Sequence, residues 1–273
     1  AGCFELDDGR EPPLDRIYFP TGLAVSPAGS RLYVVNSDWD LQFNAGTVQV
    51  FDLDRVRELL PRYCSSDAEC AGGERCDVEA RELEDGTPVA ATNWCVDAQA
   101  ADPCGERGLQ TPSQRLIAPG LCGPLEDTSD LLLESVSIGA FATDLAYTPN
   151  PNGGGRLFVP VRSDATLHWL DVNGDPGGGG MSRELDCGQN SAGECDSNHR
   201  RGDSRGERTR DDEELPIEPY GLAVTEDGQA LVTTHQTEGQ VALFVNDWST
   251  PDVGPQLEYL LGGLALRVIS VAA

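Results

Sequence analysis

The chain contains no lysine. All 19 basic residues are arginine, set against 46 aspartates and glutamates, which gives 273 residues a formal net charge of −27. A field of that sign repels phosphates and anionic headgroups, so nucleic acid and polybasic membrane docking are excluded as partner classes, while cations and basic partners are not. Such a surface also serves solubility, including in a salty habitat. Long apolar runs are lacking too: nowhere do 18 apolar residues follow one another, so no helix of this sequence crosses a membrane.

Catalytic signatures are equally scarce. The sequence shows no Ser-His-Asp arrangement, no His-Glu-x-x-His, no Cys-x-x-Cys-His and no phosphate-binding glycine loop. The glycine runs at 153–155 and 177–180 precede no helix and read as linkers. The three histidines, His168, His199 and His235, are scattered. Alternation puts His168 opposite Leu167 and Trp169, on an outer face, and His235 stands at a strand end, bonding the following loop. Arg201-Gly202-Asp203 spells a cell-adhesion tripeptide, as chance produces in a loop rich in these residues.

What the chain does have is repetition. Pro20-Thr21-Gly22-Leu23-Ala24-Val25 through Asn36 returns, at a constant offset of 199 residues, as Pro219-Tyr220-Gly221-Leu222-Ala223-Val224 through His235. A looser copy runs from Ala142 to Val161, with an insertion in its turn. Each copy is an apolar strand, a Pro/Asp/Asn/Gly turn and a second strand, and a third strand follows: 46–53, 166–172 and 239–245. A repeated unit of this kind predicts an all-β fold, a β-propeller. Residues 1–18 read as a tether, and 19–273 as blades interrupted by a Cys-rich insertion at 57–128 and a Gly-rich, charged one at 174–212. The second blade is expected over 129–173, and Leu257–Ala273 as the start of a fourth. A closed propeller needs at least about four blades, so the expectation is either a piece of a chain with roughly six to eight or further blades too divergent to see. Counting strands, Ser26–Ser30 and Thr225–Gly228 are expected between second and third strands, and both insertions after a fourth. Insertions and turns then rise from one face, and loops on a rigid scaffold carry function disproportionately.

Eight cysteines lie in the insertions: Cys64, Cys70, Cys76, Cys95, Cys104 and Cys122 in the first, Cys187 and Cys195 in the second. Surroundings this polar form no apolar core, and the wide spacing without a histidine argues for disulfides over zinc, hence an oxidising compartment. Cys187 pairs with Cys195, and the six in the first insertion leave their connectivity open. Asp171-Val172-Asn173-Gly174-Asp175 has the opening of an oxygen-rich calcium loop, with Asp171, Asn173 and Asp175 as ligands, although the distal glutamate is missing and a plain turn needs no metal. No other cofactor is expected.

Two resemblances follow from these residues. Leu32-Tyr33-Val34-Val35-Asn36 with Gly46-Thr47-Val48-Gln49-Val50-Phe51-Asp52 resembles the Tyr-Val-Thr-Asn (YVTN) group of bacterial exported propellers. The other copies depart at the diagnostic asparagine, with Val161 and His235 in its place. Ala1-Gly2-Cys3 resembles the end of a bacterial lipoprotein signal, which implies that Cys3 carries a lipid anchor and, with Phe4 after it, that the chain faces the outer membrane. Together they imply an envelope-anchored, non-enzymatic propeller that binds a protein or glycan through its loop-capped face and meets the membrane only through its lipid. The alternative is a lactonase-like hydrolase with a metal ion in the central channel. That chemistry needs several acids converging on the axis, and the innermost strands offer Asp144 and little else.

Overall fold

A computed structural model describes residues 9–59, 62–82, 86, 88–89, 91, 93–98, 129–176, 180–202 and 214–263. The chain divides into two compact units, one formed by 1–53 with 129–273 and the other by 54–128.

The larger unit is a row of antiparallel meanders. The first sheet pairs Pro20–Val25, Arg31–Asn36, Gly46–Asp52 and Leu132–Ile138 in that order. The second pairs Ala146–Pro149, Gly155–Val161 and Thr166–Val172, and two short strands, Leu185–Asp186 and Arg200–Arg201, share the outer side of the third. The third sheet repeats the plan with Pro219–Val224, Ala230–His235, Gln240–Val245 and Gln256–Leu261. Turn chemistry fixes these hairpins. Gly29 and Gly228, 199 residues apart, both adopt positive φ (75° and 66°) and both donate back to the first residue of the turn, Ser26 and Thr225, at 2.8 Å.

The sheets stack through period-two apolar faces. Tyr33, Val35, Val48, Val50, Val136 and Ile138 of the first sheet bury against Leu145, Leu157, Val159, Val161, Leu170 and Val172 around the second. Phe158, Leu167 and Trp169 on the other side of the second sheet meet Leu222, Leu231, Ala242 and Phe244 of the third. One backbone bond recurs in every repeat: the residue after the second strand donates to a carbonyl ahead of the first strand, at the matching position of the repeat. The pairs are Ser37 to Phe19 (2.9 Å), Arg162 to Phe141 (3.1 Å) and Gln236 to Glu218 (3.0 Å).

Two expectations need correcting. Leu132–Ile138 is the fourth strand of the first sheet, not the opening of the second, and Gln256–Leu261 closes the third sheet rather than starting a fourth. The first insertion therefore splits a sheet between its third and fourth strands, which hides the pairing from a linear reading. The turns at 26–30 and 225–229 accordingly join first and second strands; the first insertion joins third and fourth, and the second leaves its sheet after the third strand and contains the two short strands that pair with it. Both counts were displaced by one, so the parity survives: in a meander these two connections leave the same end of the sheet. Leu53, just past the third strand, donates to the Ser30 carbonyl at 2.9 Å, beside the first turn.

The smaller unit begins in a seven-residue helix, Leu53–Leu59, whose first residue belongs to the larger unit. It is held by Cys64–Cys76 and Cys70–Cys95. Glu74–Cys76 pairs with Cys95–Asp97, and Arg81–Glu82 with Pro88–Val89. Three of its cysteines, Cys64, Cys76 and Cys95, form the apolar centre of this otherwise polar segment, which is how a stretch without aliphatic bulk folds.

Candidate functional site

The described part of the insertion after the third strand of the second sheet, residues 174–176 and 180–202, is fastened down at several points. It starts at Gly174, whose φ of 73° admits no ordinary side chain and whose added Cβ would lie 3.2 Å from the Tyr147 hydroxyl. The turn delivers Asp175 to the first sheet's Ser26–Ser30 hairpin. There its carboxylate accepts from the Ser26 hydroxyl (2.5 Å), the Ser30 hydroxyl (2.7 Å) and the Ala28 and Ser30 backbone N–H groups (2.7 and 3.4 Å). Partial desolvation pushes this carboxyl up, but the four donors outweigh it and hold it at about 2.

Asp171 serves a different partner. The buried Arg156 grips it with Nε (2.8 Å) and Nη2 (3.1 Å), reaches Asn246 Oδ1 with Nη1 (2.8 Å) and lies 5.0 Å over the Trp248 ring. Asn173 Oδ1 accepts from the Met181 N–H at 3.3 Å. The three residues expected to ligate calcium are thus each occupied by a different protein group. Asp175 ties the loop to the first sheet, and Asp171 holds Arg156 on the neighbouring strand, whose third nitrogen reaches Asn246 just past the third sheet's Gln240–Val245 strand.

Farther along, Arg31 of the first sheet forks onto Glu184 with Nε and Nη2 (3.2 and 3.3 Å). Glu134, on the first sheet's fourth strand, accepts the Glu184 and Leu185 N–H groups (2.8 and 2.9 Å) and the Gln189 amide (3.2 Å). Cys187 is bonded to Cys195 with Cα atoms 5.1 Å apart, and Ser137 exchanges backbone bonds with Gly193 and Cys195. Leu185 and Cys187 point into the core, while Ser182, Arg183, Asp186, Asn190 and Glu194 remain exposed. The result is a polar surface on a pinned backbone.

The opposite end of the sheets holds a second cluster that the sequence reading missed. Arg162 stacks over Trp39 (4.6 Å) and Tyr220 (5.8 Å) and donates through Nη2 to Glu218 Oε1 at 2.6 Å. Glu218 also accepts from the Thr237 hydroxyl, and this bond, aided by Arg162 and opposed by desolvation, lowers its carboxyl below the ordinary range. Asp38, Leu41, Phe141, Ala165 and Glu218, all at this end, adopt positive φ without being glycine. The signal was present in the repeat: Arg162 stands where the other copies have Ser37 and Gln236, and Glu218 where they have Phe19 and Phe141. Two charged departures of opposite sign proved to be each other's partner.

The remaining expected residues are structural. Asp144 Oδ1 accepts the Leu145 N–H and Oδ2 the Leu222 N–H, so this innermost acid bridges second and third sheets. His168 is not on an outer face. It is buried 3.9 Å from Asp164, on the side of the second sheet turned toward the first, with Arg200–Arg201 paired alongside. His235 is buried against the Thr233 hydroxyl at 3.0 Å. Its counterpart Asn36 donates to Thr47 and Gln49 on the neighbouring strand (2.9 and 3.0 Å), so the diagnostic asparagine is a bolt between strands. His199 Nδ1 lies 2.8 Å from Asp196. Arg201 is buried, donating to the Val253 and Pro255 carbonyls, which takes the adhesion tripeptide's arginine out of reach. Among the described residues, the groups of three metal-ligating side chains, Cys64-Cys70-Cys76 and Cys70-Glu74-Cys95, consist of disulfide sulfurs and one glutamate. Cys3, Cys104 and Cys122 lie outside the described residues.

No family model and no curated protein matches this chain. Among solved structures it is similar to a functionally unknown protein from Desulfotomaculum acetoxidans (10% identity, TM-score 0.32, 90% of this chain and 57% of that one). It is similar also to the β-propeller domain of Cps50 (Swd1) from Myceliophteria thermophila (13% identity, TM-score 0.33, 93% and 76%). A third is a candidate 6-phosphogluconolactonase from Bacteroides uniformis (15% identity, TM-score 0.28, 96% and 78%). The chain spans little more than half the length of the first of these. The chain is all-β and propeller-like, built among the described residues of successive antiparallel sheets of four, five and four strands with disulfide-bonded insertions.

Proposed function

We propose that this chain is a non-enzymatic binding module, the blades of an exported β-propeller that recognises a protein or a glycan through the end carrying the insertions. The observation that carries the proposal is the fastening of residues 173–176 and 180–196. Asp175, Glu184 and the Cys187–Cys195 bridge fix a hydrogen-bonding surface to rigid sheets, and preorganisation of this kind lowers the ordering cost of recognition. Asp186, Asn190 and Glu194 supply acceptors and amide groups suited to sugar hydroxyls or to a basic protein patch. The use of both Asp144 carboxylate oxygens in backbone bonds favours binding over a channel hydrolase. Disulfides agree with an oxidising envelope compartment, and Cys3 is proposed as its lipid anchor.

The test is a glycan array and a panel of purified envelope proteins, probed with the native chain and with Asn190→Ala/Glu194→Ala and Arg162→Ala variants. The proposal expects ligands lost by the first variant and kept by the second. Ligands lost only with Arg162→Ala would overturn it.

A further inference from the structure

The smaller unit keeps its aromatic side chains out of its centre. Residues 54–128 contain two aromatics, Tyr63 and Trp94. The centre is cystine instead: Cys64, Cys76 and Cys95 are buried, with Cys70 packed against them. Turning aromatic surface inward is the largest apolar gain open to so polar a segment, and the unit forgoes it at Tyr63. That side chain is 68% exposed, more than any other large apolar side chain among the described residues.

The backbone dictates this placement. Tyr63 and Trp94 oppose each other in an antiparallel bridge. Its hydrogen bonds, Cys64 N–H to the Asn93 carbonyl and Cys95 N–H to the Arg62 carbonyl (both 2.8 Å), flank the pair rather than join it. In that arrangement opposite side chains come closest. Alternation sends the next residues, Cys64 and Cys95, to the other side, where the Cys64–Cys76 and Cys70–Cys95 bridges lock the ladder. A single surface tyrosine is ordinary. The unit's two aromatics, paired across a cystine-locked ladder, make a rigid platform with Tyr63 open and Trp94 half-buried beside it.

The surrounding groups select the ligand. Arg62 and Arg75 are each held by an acid of the same unit, Glu74 at 3.4 Å and Asp77 at 3.0 Å, so neither is left to draw an anion. The polar group at the Tyr63 ring edge is a neutral amide: Asn93 Nδ2 donates to the phenolic oxygen at 3.4 Å, which leaves the O–H to donate outward. An open ring bordered by neutral hydrogen-bonding groups suits an uncharged molecule with one apolar face and many hydroxyls. A pyranose is such a molecule, with C–H groups to lay on the ring and hydroxyls to meet the rim. We propose that Tyr63 and Trp94 form a stacking platform for an uncharged carbohydrate, a second binding site that goes beyond the surface of residues 180–196.

The test is calorimetric titration of the intact chain with cellohexaose, maltohexaose and N-acetylchitohexaose. Hexagalacturonate and a hexaproline peptide serve as charged and peptide comparators. At least one neutral hexasaccharide is expected to bind, and Tyr63→Ala to weaken it by about tenfold. Tyr63→Phe, which keeps the ring, is expected to stay within about threefold, and Asn190→Ala/Glu194→Ala to bind as the wild type does. Because Tyr63 is exposed, the variants should keep the wild-type circular dichroism and unreduced thiol count. Binding of none of the three sugars, equal affinity in Tyr63→Ala, or preference for hexagalacturonate or hexaproline overturns the proposal. Binding lost with Asn190→Ala/Glu194→Ala and kept with Tyr63→Ala overturns it too, while leaving the recognition surface of residues 180–196 standing.

Discussion

The Ser26 hydroxyl donates to the Asp175 carboxylate at 2.5 Å, although 149 residues separate them. Three further donors share that carboxylate, so it is the point at which the insertion of one sheet is bound to the first turn of another. Hydrogen bonds to a charged group are individually worth about 1.5–3 kcal/mol. Asp175→Ala is therefore expected to cost about 2 kcal/mol and to lower the melting temperature by about 5 °C. The folded-state pKa is about 2, below its ordinary value, so the contribution is present at neutral pH and is lost as the pH falls from about 4 to about 2. Acid titrations of the wild type and variant are expected to converge in that window.

Arg156 is fully buried and uses three nitrogens on Asp171 and Asn246. A lysine keeps the charge but cannot fork, stack on Trp248 and reach both partners at once. Arg156→Lys is expected to destabilise the chain by about 2 kcal/mol, read as a lower urea midpoint with an unchanged slope.

His235 is kept neutral by its surroundings. Burial lowers its pKa from 6.5 to about 4, against backbone bonds at Pro216 and Ile217 that act the other way. The unfolded chain takes up this proton below about pH 6.5 and the folded chain does not, so the stability lost between about pH 6.5 and 4 approaches 3 kcal/mol. His235→Asn, which installs the residue found at Asn36, is expected to flatten that part of the stability profile. An equally steep profile in the variant would place the proton uptake elsewhere.

Cys187 and Cys195 close a short loop, and replacing both by serine is expected to cost about 2.5 kcal/mol. Thiol labelling of the unfolded, unreduced chain checks the wider assignment. With Cys64, Cys70, Cys76, Cys95, Cys187 and Cys195 bridged, and Cys104 and Cys122 expected to be oxidised as well, at most one cysteine should react.

The repeat was legible because it is written in the first three strands of each sheet, where Leu23, Leu145 and Leu222 or Gly29 and Gly228 keep fixed offsets. The fourth strands were not. Leu132–Ile138 and Gln256–Leu261 share no motif, and the first lies beyond an insertion that folds as a unit of its own. Asp171, Asn173 and Asp175 were legible as a polar turn but not as anchors. Alternation along a strand predicts convergence on one point, whereas the turn at Gly174 sends Asp175 toward serines far away in sequence. His168 misled for a related reason. The two-faced rule puts a polar residue in solvent, but in a stack of sheets both faces of the middle one are covered.

Hydrogen exchange of the intact chain, with and without a ligand selected on the arrays, tests the central claim most directly. The account predicts new protection in residues 180–196 and in the Ser26–Ser30 turn, with the backbone around Trp39, Arg162 and Glu218 unchanged. Protection confined to that opposite end, with residues 180–196 exchanging as in the free chain, would contradict it.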